Sequence, residues 1–280
     1  MRLRISEAPT PLAGDCARAV KVSARLRETR MTHGVGPLEG RTAVVTGGGS
    51  GIGLATVRRL IAAGARVHAV GRHPETIGQR LEVELAADTV ATHGLDVTDA
   101  EAVERLMTEI GEERAIDVLV CAAGTNIPDR RLEELTEPGW RSVVETNLNG
   151  VFSCMRAAMP QLRETRGHVV VLGSVSSLWP DGSGVAYQAA KAGVLALVRA
   201  ASFEEHRKGV RFTAILPGMT ETELIYKRPW PPPAEVRALM LQPDDVAATI
   251  LCALSLPPRA CLGELTIVPT ALQAIGKSPD

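Results

Sequence analysis

One doubly wound α/β domain is the fold that these 280 residues predict. Three observations carry the expectation. Short β-branched apolar runs alternate with helix-periodic stretches from about residue 41 onward, the pattern of strands and helices in turn. The first of these runs leads directly into a glycine cluster and then a helix, an order with its own physical meaning. The length suits one large core, or at most two small ones, and no repeat of solenoid length divides it.

The opening strand is Arg41–Thr46, short, apolar and β-branched. Gly47-Gly48-Gly49-Ser50-Gly51-Ile52-Gly53 follows, and a helical pattern runs from Leu54 to Ala63 with Gly64 as its stop signal. In this order the glycines have separate duties. Gly47 permits a tight turn out of the strand, Gly51 lets backbone approach a diphosphate, and Gly53 lets the helix pack close to the sheet. The helix start, with Ser50 and Ile52, offers unpaired N–H groups and partial positive charge to phosphate. The expectation is a Rossmann-type, mostly parallel sheet of about seven strands that binds a dinucleotide.

The second strand, Ala65–Val70, ends at Gly71-Arg72. The end of this strand faces the adenosine ribose in such folds. Gly71 offers no carboxylate to hold the ribose hydroxyls, and the Arg72 guanidinium can take a 2′-phosphate through a charge-assisted fork. NADP(H) is therefore the preferred cofactor, with NAD(H) possible; a solvated loop arginine is the plain alternative. Further strands are read near Thr89–Leu95, at Ile116–Cys121, His168–Gly173, Val210–Leu216 and Gly263–Val268, with a late helix at Pro243–Leu254. Asp99 suits the N-cap of the helix after the third strand.

Tyr187 and Lys191 stand four apart, so a helix would project phenol and ammonium from one face. A free phenol titrates near ~10. A neighbouring cation lowers that value, which makes the pair one way to build an acid/base group for neutral pH.

Composition removes other classes. The net charge is −1, which gives no electrostatic case for nucleic acid. No apolar run reaches membrane-spanning length. The five cysteines, Cys16, Cys121, Cys154, Cys252 and Cys261, are scattered with no Cys-x-x-Cys pair, and the six histidines show no ligand spacing, so no metal site is expected. Reduced cysteines fit a cytoplasmic protein. Residues 1–38 are arginine-rich without a signal-peptide core. They read as an ill-ordered extension or a start misplaced from Met31; residues 39–270 read as the domain and 271–280 as a tail.

Thr46-Gly47-Gly48-Gly49-Ser50-Gly51-Ile52-Gly53 together with Tyr187-x-x-x-Lys191 resembles the short-chain dehydrogenase/reductase family. The resemblance covers about Leu38 to Pro269 and includes six motifs in order. It implies that Asp96, followed by Val97, meets the adenine. It implies that Ala123 and Gly124 keep a small backbone beside the cofactor, although Cys121 and Ala122 replace the family's two asparagines, with a loss of strand-linking hydrogen bonds. In Pro217-Gly218-x-x-x-Thr222 the backbone and Thr222 would hold the nicotinamide amide, with Thr220 the less favoured candidate. Ser174, thirteen positions before Tyr187, would hold the carbonyl oxygen; Ser176 and Ser177 are nearby alternatives. Asn147, on a helix running from Trp140 to Phe152, would link Lys191 to solvent through water, and Asn149 fits less well.

The implied chemistry is interconversion of a carbonyl and a secondary alcohol, a ketoreductase type of reaction. Tyr187 is the acid/base, and Lys191 lowers its pKa and bonds the nicotinamide ribose. The substrate is a small carbonyl compound or alcohol. The segment Glu223–Leu241 is too short for a large lid, and Trp179, Tyr226 and Trp230 are candidates to line the pocket. A homodimer or homotetramer through Gly150–Arg163 and Val185–Arg207 is implied by analogy. Two other readings stand beside this one: a sugar-nucleotide epimerase, against which the short C-terminal segment argues, and a non-catalytic NADP(H)-binding redox sensor, which would need no Tyr187, Lys191 or Ser174.

Overall fold

A computed structural model describes residues 36–85 and 89–272. Seven strands form a single sheet: β1 (Thr42–Thr46), β2 (Arg66–Gly71), β3 (Val90–Gly94), β4 (Val118–Cys121), β5 (His168–Leu172), β6 (Arg211–Pro217) and β7 (Glu264–Ile267). Their spatial order is β3-β2-β1-β4-β5-β6-β7, and every pairing is parallel. The chain leaves β1 toward β2 and β3 on one side, then returns to lay β4 on the other. The β1/β4 boundary is thus the topological switch point, where a crevice opens at the strand C-termini.

The strands are apolar on both faces because both faces are covered. Val44, Leu119, Val171 and Phe212 pack beneath α3 (Ala100–Glu113), α5 (Gly150–Thr165) and α6 (Val185–Glu205). Their alternates Val45, Val120, Val170 and Ile215 face α1 (Gly51–Ala62), α2 (Pro74–Arg80) and α7 (Pro243–Leu254). The period of two along each strand divides one sequence between two cores.

Three local results differ from the sequence reading. The helix after the glycine turn begins at Gly51 rather than Leu54, so the glycines themselves build its first turn. The helix expected from Trp140 to Phe152 is not continuous: α4 (Glu137–Val144) passes into a π-turn, Glu145–Asn149, before α5. The strand ends are trimmed by a residue or two where edge pairing stops, as at β3 and β7.

The extension read over residues 1–38, with Cys16, lies up to residue 35 outside the described residues, and so does the tail from residue 273. Gly36–Leu38 belong to the domain. Leu38 is buried in the α1 face of the core, and its N–H donates to the Ala63 carbonyl at 3.0 Å. Asp99 caps α3, accepting from the Ala102 N–H at 2.9 Å.

Candidate active site

The glycine turn is packed too tightly for side chains. Gly47 turns at φ +68° and Gly51 at φ +47°. A Cβ on Gly53 would lie 2.1 Å from the Gly47 carbonyl oxygen, and one on Gly47 would lie 2.7 Å from Ala123 N. Ser50 is the N-cap of α1 yet makes no side-chain cap bond. The first-turn N–H groups are left for whatever fills the cavity that Ser50, Gly51 and Ile52 line. A cradle of this kind, free of Cβ atoms at a helix N-terminus, fits a diphosphate.

Two cavities, of about 310 and 290 Å³, share Gly47, Ser50, Arg72, Ala123, Gly124 and Glu223 in their walls. The second runs along the ends of β2 and β3, past Arg72, Asp96 and Val97. Arg72 is exposed there. Asp96 accepts from Thr98 N at 3.0 Å and Thr98 Oγ1 at 2.9 Å, which fixes its carboxylate in the turn. Arg80, which the sequence reading passed over, closes this side: it donates to the Gly49 carbonyl at 2.6 Å and meets Glu223 at 3.1 Å.

The first cavity gathers Asn147, Ser174, Tyr187, Lys191, Pro217, Gly218 and Thr222 from four separate chain segments. Ser174 lies near enough to the Tyr187 phenol to lower its pKa. It also donates to Ser176 Oγ at 3.0 Å, and Ser176 Oγ donates to Asp181 Oδ2 at 2.5 Å. The neighbouring Ser177 points elsewhere, to the Lys191 carbonyl at 3.0 Å. Thr222 lies against the glycine turn, 3.1 Å from where a Gly51 Cβ would stand, whereas Thr220 Oγ1 is spent on the Gly218 carbonyl.

The π-turn aims Asn147 inward. It is fully buried, donates to the Thr125 and Val143 carbonyls at 2.8 Å each, and accepts from Thr125 N. Such an insertion is common where a helix must present a functional side chain. Lys191 is buried too, its Nζ donating to the Leu172 carbonyl at 2.6 Å. A Cβ on Gly124 would lie 3.1 Å from Asn147 Oδ1 and 4.0 Å from Lys191 Nζ, so the missing side chain leaves a gap between the two.

The electrostatics correct one expectation. Tyr187 is not made acidic by Lys191: burial pushes the phenol up to about 12, and the groups pulling it down are Ser174, Arg130 and Arg228. Lys191 stands over the ring face, 5.7 Å from the centroid, and burial lowers its own pKa to about 8. Helical spacing brought the two side chains to one face, but the ammonium is turned to a strand carbonyl rather than to the phenol oxygen.

The aromatic expectation is also corrected. Trp179, Tyr226 and Trp230 do not line the cavity; Trp230 is 84 % exposed, and the Tyr226 hydroxyl donates to Glu221 at 2.7 Å. Met219, Leu224 and Ile225 supply the apolar wall, with Arg130, Asp181 and Arg228 as polar neighbours. Cys121, in place of the family's asparagine, is buried in the core beside Cys154 of α5, and that contact and burial raise its thiol pKa. An apolar contact thus occupies the position of the lost polar link.

Fold and cleft together define a Rossmann-type dinucleotide-binding protein. The short chain dehydrogenase family profile matches residues 41–229. An uncharacterized oxidoreductase of Staphylococcus aureus (strain N315) is 32% identical over 239 residues, 83% of this chain and 98% of that protein. Serine dehydrogenase from Escherichia coli superposes with a TM-score of 0.72 at 28% identity, covering 83% of this chain and 99% of that one. An alcohol dehydrogenase from the archaeon Thermococcus sibiricus, complexed with 5-hydroxy-NADP, gives 0.75 at 30% identity over 86% of this chain and 99% of that one. The chain belongs to the short-chain dehydrogenase family of oxidoreductases.

Proposed function

We propose that the protein interconverts a small carbonyl compound and its secondary alcohol, with NADP(H) as preferred cofactor. The observation that carries this reading is the convergence of Ser174, Tyr187, Lys191 and Asn147 on one cavity beside a diphosphate-shaped glycine turn. A nicotinamide nucleotide, when bound, supplies or accepts the hydride. Ser174 holds the carbonyl oxygen and offsets its growing negative charge. Tyr187 moves the proton. The phenol stands protonated at neutral pH, the form that can donate to the forming alkoxide, and Ser174, Arg130 and Arg228 offset part of the burial that weakens it as an acid. Lys191 would bond the ribose, and a water in the gap at Gly124 would join it to Asn147. Arg72, with no acidic residue at the end of β2, supports the choice of NADP(H). The relatives add that one solved neighbour is a serine dehydrogenase and another an alcohol dehydrogenase bound to an NADP derivative.

Tyr187→Phe keeps the ring and removes the proton. NADPH affinity by fluorescence titration stays within twofold, and NADPH consumption with a responsive ketone or aldehyde falls by about 10²- to 10⁴-fold. Turnover near the wild-type rate in that variant refutes the assignment.

A further inference from the structure

Two guanidinium groups stand near Tyr187 without an ion-pair partner among the described residues. Arg130, in the loop after β4, is 8% exposed. Its Nε donates to the Ile127 carbonyl at 2.6 Å and its Nη2 to the Lys227 carbonyl at 3.0 Å. Its Nη1 has no hydrogen-bond partner among the described residues. Arg228, which follows the turn Glu223–Lys227, is partly buried, and its guanidinium has neither a hydrogen bond nor an ion pair among the described residues. Both line the 310 Å³ cavity that contains Ser174 and Tyr187. Each lies in the field of the Tyr187 phenol and of Asp181.

The carboxylates of this wall form no ion pair with either arginine, although the Asp181 charge favours both guanidiniums. Asp181 accepts from Ser176 Oγ at 2.5 Å and from Ser183 N at 2.8 Å. Glu223 is bonded to Arg80. The other cations of this wall add to the excess: Lys227 donates to Thr125 Oγ1 at 3.0 Å, and Lys191 lies deeper, on the Leu172 carbonyl. Burial of a cation costs free energy unless an anion meets it. Burial holds both below the usual arginine range, Arg130 to about 10 with the Arg228 charge adding to the effect there, while Tyr187 and Asp181 pull both the other way. This arrangement opposes folding and is relieved by an anion that enters with the ligand. A planar fork meets a carboxylate through two parallel N–H···O bonds.

We propose that the substrate is an anion: a short oxo acid or hydroxy acid whose carboxylate is held by Arg130 and Arg228 while its reacting oxygen lies between Ser174 and Tyr187. The inference rests on the carbonyl–alcohol reading above and adds the charge of the substrate to it. The carboxylate sits a few bonds from the reacting carbon, because the arginines and the phenol share one small cavity. The two arginines fix which face of the carbonyl is presented, so they act as specificity residues.

Two measurements on the full chain test it. The first is NADPH consumption with a series of 2-, 3- and 4-oxo acids, each paired with its methyl ester. Wild type prefers an acid over its ester, and Arg228→Ala lowers the ratio of kcat/KM for the acid to that for its ester by about 10- to 100-fold, the loss expected for a charge-assisted bond; the ratio is the readout because Arg228 also bears on the Tyr187 phenol and so on both substrates. Arg228→Lys falls between. Equal use of acid and ester by wild type, an equal loss on both in the variant, or a fall in NADPH affinity in the variant overturns the proposal; the last would give the arginines to a cofactor phosphate. Ketone reduction that depends on Tyr187 but shows no preference for acids leaves the catalytic reading standing and removes this one. The second measurement needs no turnover: calorimetry with butanoate, butanamide and inorganic phosphate in the presence of NADP⁺. Butanoate binds, butanamide does not, and Arg228→Ala weakens butanoate at least tenfold. No butanoate binding, or tighter binding of phosphate, rejects the carboxylate site whether or not a reaction has been found.

Discussion

Burial moves two titratable groups in opposite directions: the Tyr187 phenol rises to about 12, and the His68 imidazole falls to about 4. The charged form is the one disfavoured in each. His68 lies on β2, its Nδ1 3.0 Å from His93 Nε2 on β3, where His93 also disfavours its charge, Arg66 adds to that and Glu113 opposes it. An unfolded chain takes up this proton below 6.5, while the folded chain resists until about 4. Stability is therefore complete above 6.5 and is lost as pH falls toward 4, by an amount on the order of 2–3 kcal/mol. Urea unfolding at pH 7.5 and 4.5 measures it, and His68→Leu narrows the difference between the two; an unchanged difference rejects the account. Arg72 makes a second residue-scale prediction. Wild type uses NADPH better than NADH, and Arg72→Ala lowers kcat/KM for NADPH about tenfold or more with NADH within twofold, as expected for the loss of a phosphate fork. Equal or better use of NADH by wild type would remove the cofactor preference.

At the scale of elements, the site depends on two departures from regular structure. The junction of β1 and α1 leaves no room at Gly53, where a Cβ would be 2.1 Å from a backbone oxygen that cannot move aside. Gly53→Ala pushes α1 off the turn, costs about 1–3 kcal/mol as overpacking does, and weakens NADPH binding. Gly71→Ala is the control, since its Cβ would meet only the flexible end of Ile77 at 3.1 Å. Thermal unfolding and NADPH titration compare the two, and equal tolerance would contradict the packing argument. The second departure is the π-turn at Glu145–Asn149, which the sequence did not announce. Asn147 bonds the carbonyl of Val143, four residues back, while its other contacts come from Thr125 across the fold. Helical periodicity is blind to one extra residue per turn, so only the tertiary partner reveals it.

For the whole molecule, no helix among the described residues is long and apolar enough to cross a membrane. Two helices carry large exposed apolar side chains: Phe152 on α5, 50% exposed, and Phe203 on α6, 79% exposed. If these helices pair copies of the chain, light scattering gives a dimer or tetramer, and Phe152→Ser with Phe203→Ser gives a smaller species. A wild-type monomer at tens of micromolar would end that expectation. The sequence by itself determined the alternation of strands and helices, the glycine turn, the shared helical face of Tyr187 and Lys191, and the interval back to Ser174. The first three are short-range patterns fixed by backbone geometry and by which side chains repeat toward a core, whereas the interval to Ser174 has meaning only through the family resemblance. Only the tertiary structure decided that Lys191 spends its charge on Leu172, that Trp179 and Trp230 stay out of the cleft, and that Arg130 and Arg228 meet beside the phenol. Those two arginines lie in loops after β4 and β6, far apart along the chain, where a charge reads as an ordinary solvated residue. Their proximity follows from the order of strands in the sheet, and so does the burial that sets the pKa values of Tyr187 and Lys191.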